Sequence, residues 1–88
     1  MPAYRLELSN QAEKALRQIG RYRKELYPRI ARALDDLQED PSLGKPLKGI
    51  LSGRFSFRVA DHRIIYTVRR NILLVFVIDI GHRRDVYR

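Results

Sequence analysis

The sequence has no cysteine and no tryptophan, a single methionine, and only two histidines, His62 and His82. The lack of cysteine excludes disulfides and thiolate metal ligands. With two imidazoles a dedicated zinc site is not expected, and no cofactor is implied. Long hydrophobic runs are also missing. The longest, Ile72 to Ile78, falls far short of the roughly 20 residues that span a bilayer, so no membrane partner is expected. The opening residues, MPAYRLELSN, show no basic segment followed by an apolar one, which makes a cytoplasmic location the expectation. No repeat, low-complexity stretch or long linker divides the chain. Residues 1–88 are therefore read as one domain, near the small end of what folds unaided, and 44% apolar residues suffice for one modest core.

Carboxylates are scarce as well. Ten Asp plus Glu face eighteen Lys plus Arg, a net charge of +8. Only Lys14, Lys24, Lys45 and Lys48 are lysines, so arginine supplies most of the charge. The planar guanidinium fork suits phosphate oxygens and stacks on bases, which makes nucleic acid the first partner to consider. Solubility and an acidic protein partner are the other readings of the same charge.

What is present is strongly patterned. Residues 3–8, AYRLEL, alternate as a short strand with one buried face. Ser9 or Asn10 can cap a helix whose apolar stripe is Ala12, Ala15, Leu16 and Ile19, with Gly20 as a stop. Leu26, Ile30, Ala33, Leu34 and Leu37 predict a second helix over roughly 22–39, ended by Asp40-Pro41; at Pro28 it either kinks, the favoured reading, or becomes regular only from about Tyr27. Residues 41–53 hold two prolines and three glycines and are read as a loop. From Arg54 the period changes to two, giving strands over 54–59, 62–69 and 72–80 with turns at Ala60-Asp61 and Arg70-Asn71. The predicted fold is α+β, in the order βααβββ. It is a small, mostly antiparallel four-stranded sheet with both N-terminal helices on one face.

With the helices on the side of Phe55, Phe57 and Val59, the other face presents Arg54, Ser56 and Arg58 on one strand and Arg63, Thr67 and Arg69 on the next. Lys45 and Lys48 lie on the preceding loop. A solvated face would account for any one of these cations. Several like charges on neighbouring strands repel, however, and an anion is the natural compensation.

The order strand-helix-helix-meander, with "FSFRVADHRIIYTV" and then "VFVIDIGHRRDVY", resembles the RelE/ParE superfamily of bacterial and archaeal toxins. The resemblance covers essentially the whole chain, is most specific at the closing G-H-R-x-x-V-Y, and is nearer to RelE-type mRNA endonucleases than to ParE-type gyrase poisons. It implies a toxin of a type II toxin–antitoxin system that cuts mRNA in the ribosomal A site. The implied partners are an acidic RelB-like antitoxin and the ribosome, and oligomers form only through the antitoxin. Within this resemblance Arg63 matches the arginine that grips the scissile phosphate, and Arg83 the one implicated in transition-state stabilisation and leaving-group protonation. Tyr87 matches the tyrosine that orients the cleavage site, and Lys48 a basic loop position that engages RNA. Arg58 matches one of two basic strand positions that assist the attacking hydroxyl; the other falls on Ser56, a departure from the pattern. Lys45, Arg54, Arg69 and Arg84 complete the expected RNA contacts.

The chemistry is consistent with such a set. RNA cleaves through its own 2′-hydroxyl, so an enzyme need supply in-line geometry, charge stabilisation and proton transfers, and metal is optional. Preorganised cationic donors aimed at developing charge are each worth roughly 10²–10³ in rate. Arginine carries protons poorly, whereas histidine and tyrosine titrate closer to neutrality. His82 is therefore the first candidate base and Tyr87 the second. His82 as a surface imidazole touching RNA, and Tyr87 as a ring anchoring the tail, are the plainer readings. A ParE-type gyrase inhibitor without nuclease activity is the alternative function, and a plain RNA-binding module is a third. The groove between Leu16/Ile19 and the sheet edge is one that an amphipathic antitoxin helix could occupy, and the sequence does not show which groove is used.

Overall fold

Ser9 marks the place where the apolar period changes from two to 3.6, and its side chain fixes the change. In the computed structural model, which describes residues 4–82, Ser9 Oγ accepts from the Ala12 backbone N–H at 3.0 Å as the N-cap of the first helix. It also donates to the Ile78 carbonyl at 2.5 Å. The elements run β1 (Arg5–Leu8), α1 (Asn10–Tyr22), α2 (Tyr27–Glu39), β2 (Lys45–Pro46), β3 (Phe55–Val59), β4 (His62–Arg69) and β5 (Leu74–His82). They form one sheet in the order β1-β5-β4-β3-β2. Only the β1–β5 pair is parallel, a pairing that a long connection between the two strands allows.

The α+β class and both helices on one face are as the sequence predicts. Four details differ. The sheet has five strands, because Lys45–Pro46 leaves the proline- and glycine-rich loop to pair with Phe55 and Ser56. Gly20 does not stop α1, which continues to Tyr22. A Cβ at Gly20 would sit 3.1 Å from the Tyr27 ring, so its small size serves the close approach of that ring. The second helix is not kinked at Pro28. It begins at Tyr27, which puts the proline in the first turn, where its missing N–H has no intrahelical partner to lose. Finally, β5 starts at Leu74, since Arg70–Ile72 forms a 3-10 turn and Leu73 is left-handed at φ 51°.

The core lies between the helices and one sheet face. Ala12, Ile19, Ile30, Ala33, Leu34 and Leu37 meet Val59, Ile64, Tyr66, Val75, Val77 and Ile80. Burying a side chain such as Ile30, Leu37 or Val77 contributes about 1.5–3 kcal/mol. Alternation in β4 holds from His62 to Arg69, while a bulge opposite Ile65/Tyr66 gives β5 the extra residue Ile78. Among the described residues no helix is long and apolar enough to cross a membrane.

Candidate nucleic-acid interface

The pairing register sorts the predicted site residues into rows. Lys45, Ser56, Ile65 and Asp79 are successive cross-strand partners from β2 to β5; Arg58, Arg63 and Gly81 form the next row. Residues two apart on a strand are about 7 Å apart, and directly opposed residues about 5 Å. Lys45, Arg58 and Arg63 thus share one small area on the face away from the helices. They line a recess of about 280 Å³ together with Leu43, Ser56 and Phe57. Arg58 and Arg63 are direct cross-strand partners, which puts two cations side by side on adjacent strands. Arg58 is exposed and its Nε donates to the Ala60 carbonyl at 3.1 Å; Arg63 is half-buried and Ser56 is buried.

A buried tyrosine positions Lys45. Tyr66 lies on the core face, stacked on Phe55 with ring centroids 5.4 Å apart. Its hydroxyl donates to the Pro41 carbonyl at 2.7 Å and accepts from the Gly44 N–H at 2.9 Å. Burial raises the phenol's pKa, which keeps the donated proton in place. A Cβ at Gly44 would lie 2.9 Å from the ring carbons and nearer still to the hydroxyl, so only glycine allows this approach. The segment 41–46 is thereby clamped, and Lys45 with it. Alternation with Arg63 and Thr67 already puts Tyr66 on the core face, but this role for its hydroxyl is not legible there. A phenol set between Ile64 and Val68 on the core-facing side of β4 was the available signal. Leu43 and Phe57, which wall the recess, were also missed as site residues.

The other predicted residues are more dispersed. Lys48 and Arg54 are exposed on the loop that closes the β2–β3 hairpin. Arg69 shares the face of Arg63 but is six residues along β4, roughly 20 Å away, and does not join the recess. His82 departs most from expectation. It pairs with His62, a core-face residue, and lines a hollow with Ala15, Ile19 and Tyr22 of α1. Strand alternation puts Gly81, not His82, in the row of Arg58 and Arg63. His82 Nε2 is 3.6 Å from Asp61 Oδ2, while Asp61 Oδ1 is 2.7 Å from His62 Nδ1. The His62 contact holds the Asp61 carboxyl below its ordinary pKa. Arg83, Arg84 and Tyr87 lie outside the described residues. Among the described residues no cluster of three or more histidines and carboxylates could hold a metal ion.

Two helices backing a five-stranded mixed sheet is the RelE-like fold. The chain belongs to the family described as the ParE toxin of the type II toxin–antitoxin system parDE, matched over residues 6–87, within the RelE/ParE/YoeB superfamily. It is 37% identical over 57 residues to Toxin RelG of Mycobacterium tuberculosis, a match covering 64% of this chain and 66% of that protein. Among solved structures it is similar to the RelBE2 toxin–antitoxin complex of M. tuberculosis, at a TM-score of 0.79 and 28% identity over 97% of each chain. It is also similar to the isolated RelE toxin of E. coli, at a TM-score of 0.77 and 26% identity over 97% of this chain and 92% of that one.

Proposed function

We propose that the chain is the toxin of a toxin–antitoxin pair and a ribosome-dependent endoribonuclease that cuts mRNA in the A site by metal-independent transesterification. One observation carries this reading: Arg58 and Arg63 are direct cross-strand partners beside Lys45 in one recess on the helix-free face. The 2′-oxygen of the substrate attacks the adjacent phosphorus, the P–O5′ bond breaks, and the products are a 2′,3′-cyclic phosphate and a 5′-hydroxyl. Arg63 holds the scissile phosphate, and Arg58 and Lys45 balance the charge that builds on the phosphorane. The 2′-hydroxyl proton must leave and a proton must reach O5′. His82 is on the opposite face from the arginine pair, so Tyr87 is the preferred proton carrier, with Arg83 adding charge stabilisation. A recess this shallow orients a flexible strand poorly. A ribosome presenting the codon in one conformer supplies the orientation, and such preorganisation is worth roughly 7–11 kcal/mol of barrier.

The test is to map mRNA 5′ ends by primer extension in a translating extract, with the wild-type chain and with Arg63→Ala. Codon-phased cuts that fall about 10²–10³-fold in the folded variant support the assignment. Undiminished cutting by the variant overturns it. The family match to ParE toxins favours one second reading, gyrase inhibition without nuclease activity. Loss of supercoiling with intact mRNA would select that reading.

The partner that restrains the toxin is an acidic RelB-like antitoxin, since a +8 chain favours an acidic segment that folds on contact. The candidate Leu16/Ile19 groove corresponds to two separate hollows: Leu16 lines one with Leu8 and Tyr27, and the buried Ile19 lines the other with Tyr22. The first has an apolar wall bordered by Glu13 and Arg17, which suits an amphipathic helix. Assembly beyond the monomer proceeds through that antitoxin.

A further inference from the structure

Beyond Leu47, whose N–H donates to the Arg54 carbonyl at 2.8 Å, residues 48–53 form the tip of the β2–β3 hairpin. Ile50 stands at this tip and is 101% exposed, more than any other large apolar side chain among the described residues. The backbone stands clear of the molecule there. Gly49 and Gly53 flank the tip at φ +68° and +93°, and a Cβ built on either meets nothing within 4 Å. The half-exposed Ile72 and Leu73 of the β4–β5 turn retain contacts that Ile50 lacks.

The setting of Ile50 identifies what it is built to meet. From Pro41 to Ala60 the chain contains no carboxylate, while Lys45, Lys48, Arg54 and Arg58 supply four cations. The two strands that carry the tip also line the recess, through Lys45, Ser56 and Arg58. Lys45 is five residues from Ile50, a span of at most about 17 Å. A polyanion seated on the recess therefore runs past the tip within reach. An acidic protein segment would match the cations too. However, a site continuous with the recess that faces one phosphodiester favours a nucleic-acid strand, whose bases offer apolar faces between phosphates.

We propose that Ile50 is an RNA-contacting specificity residue. Its side chain packs against a nucleobase flanking the scissile bond, while Lys48 and Arg54 hold the neighbouring phosphates. Apolar side chains flanked by cations act in this way on other nucleic acids. The inference rests on reading the recess as an RNA site and adds to it a contact that carries sequence preference rather than charge.

The test compares wild type, Ile50→Ser, Ile50→Leu and the control Ile72→Ser in two assays. The first is affinity for a fluorescent 2′-O-methyl RNA oligonucleotide, which cannot be cut. The second is cleavage of mRNA on programmed ribosomes, with KM and kcat separated and the cut sites mapped. Ile50→Ser should bind about tenfold more weakly. It should also raise KM with kcat retained and redistribute cuts among sites, and Ile50→Leu should restore all three. Ile72→Ser should match wild type. Wild-type behaviour of Ile50→Ser in both assays overturns the inference while leaving the nuclease reading intact. So does a serine variant that loses only inhibition by the acidic antitoxin, which would assign the tip to a protein partner. If the wild type binds RNA without cutting it, the nuclease reading falls and the affinities alone judge Ile50. If it neither binds nor cuts, both fall.

Discussion

Tyr66 shows how a single side chain joins core to site. Its ring is fully buried in the helix-facing layer, and its hydroxyl closes two hydrogen bonds to the segment that presents Lys45. Tyr66→Phe removes the hydroxyl and leaves the Gly44 N–H and Pro41 carbonyl without it in a dry environment. The expected loss is about 1–3 kcal/mol of folding stability, read by urea denaturation. A separate loss of RNA affinity should appear under fully native conditions, because Lys45 is no longer held over the recess. Unchanged affinity in a destabilised variant would show that β2 keeps its place without the clamp. At this same scale the arginines are informative for a different reason. Arg58 and Arg63 matter as a pair, and Arg69, identical in type and on the same face, is set apart from them by distance along its strand.

At the scale of elements, the hinge between β1 and α1 depends on Ser9, which caps the helix and holds the carbonyl of the bulged residue Ile78 in β5. One hydroxyl thus couples the helix start, the parallel edge strand and the irregularity that sets the register of the last strand. Ser9→Ala should cost about 0.5–2 kcal/mol through the cap alone. Hydrogen exchange of the amides around Ile78 should accelerate in the variant, a change that loss of a cap by itself would not produce. Helix and strand identities were legible in the sequence because the apolar period is unambiguous in each segment. Their ends were less so. Pro28 is as compatible with a first turn as with a kink, and Gly20 as compatible with a close ring contact as with a stop. Packing against Tyr27 decides the second case. The short strand β2 was hidden because two residues, one a proline, carry no periodicity.

For the whole molecule, the separation of faces is the organising feature. Helices, core and the His62–Asp61–His82 group occupy one side of the sheet, and Lys45, Arg58 and Arg63 the other. RNA affinity should therefore fall steeply with salt, with a slope near −0.7 per phosphate neutralised on a single strand. Replacing Arg58 or Arg63 by Gln should reduce that slope by about one contact each, whereas Arg69→Gln should leave it nearly unchanged. Binding titrations over a range of potassium chloride check both statements. Equal slopes for all three variants would mean that the charge acts as a diffuse field and not as a site.

The sequence by itself determined the composition of the two sheet faces, the number of helices and the net cationic character. These follow from local periodicity and residue type, which need no knowledge of distant partners. It also marked Arg58 and Arg63 as candidates, since alternation within adjoining strands joined by a tight turn fixes their common face. Only the tertiary structure decided that Lys45 joins them through a strand the sequence did not reveal, and that His82 belongs to the helix side. Those facts depend on register, and register is set by the bulge at Ile78 and the clamp at Tyr66. Both are long-range contacts that leave no periodic trace in the chain.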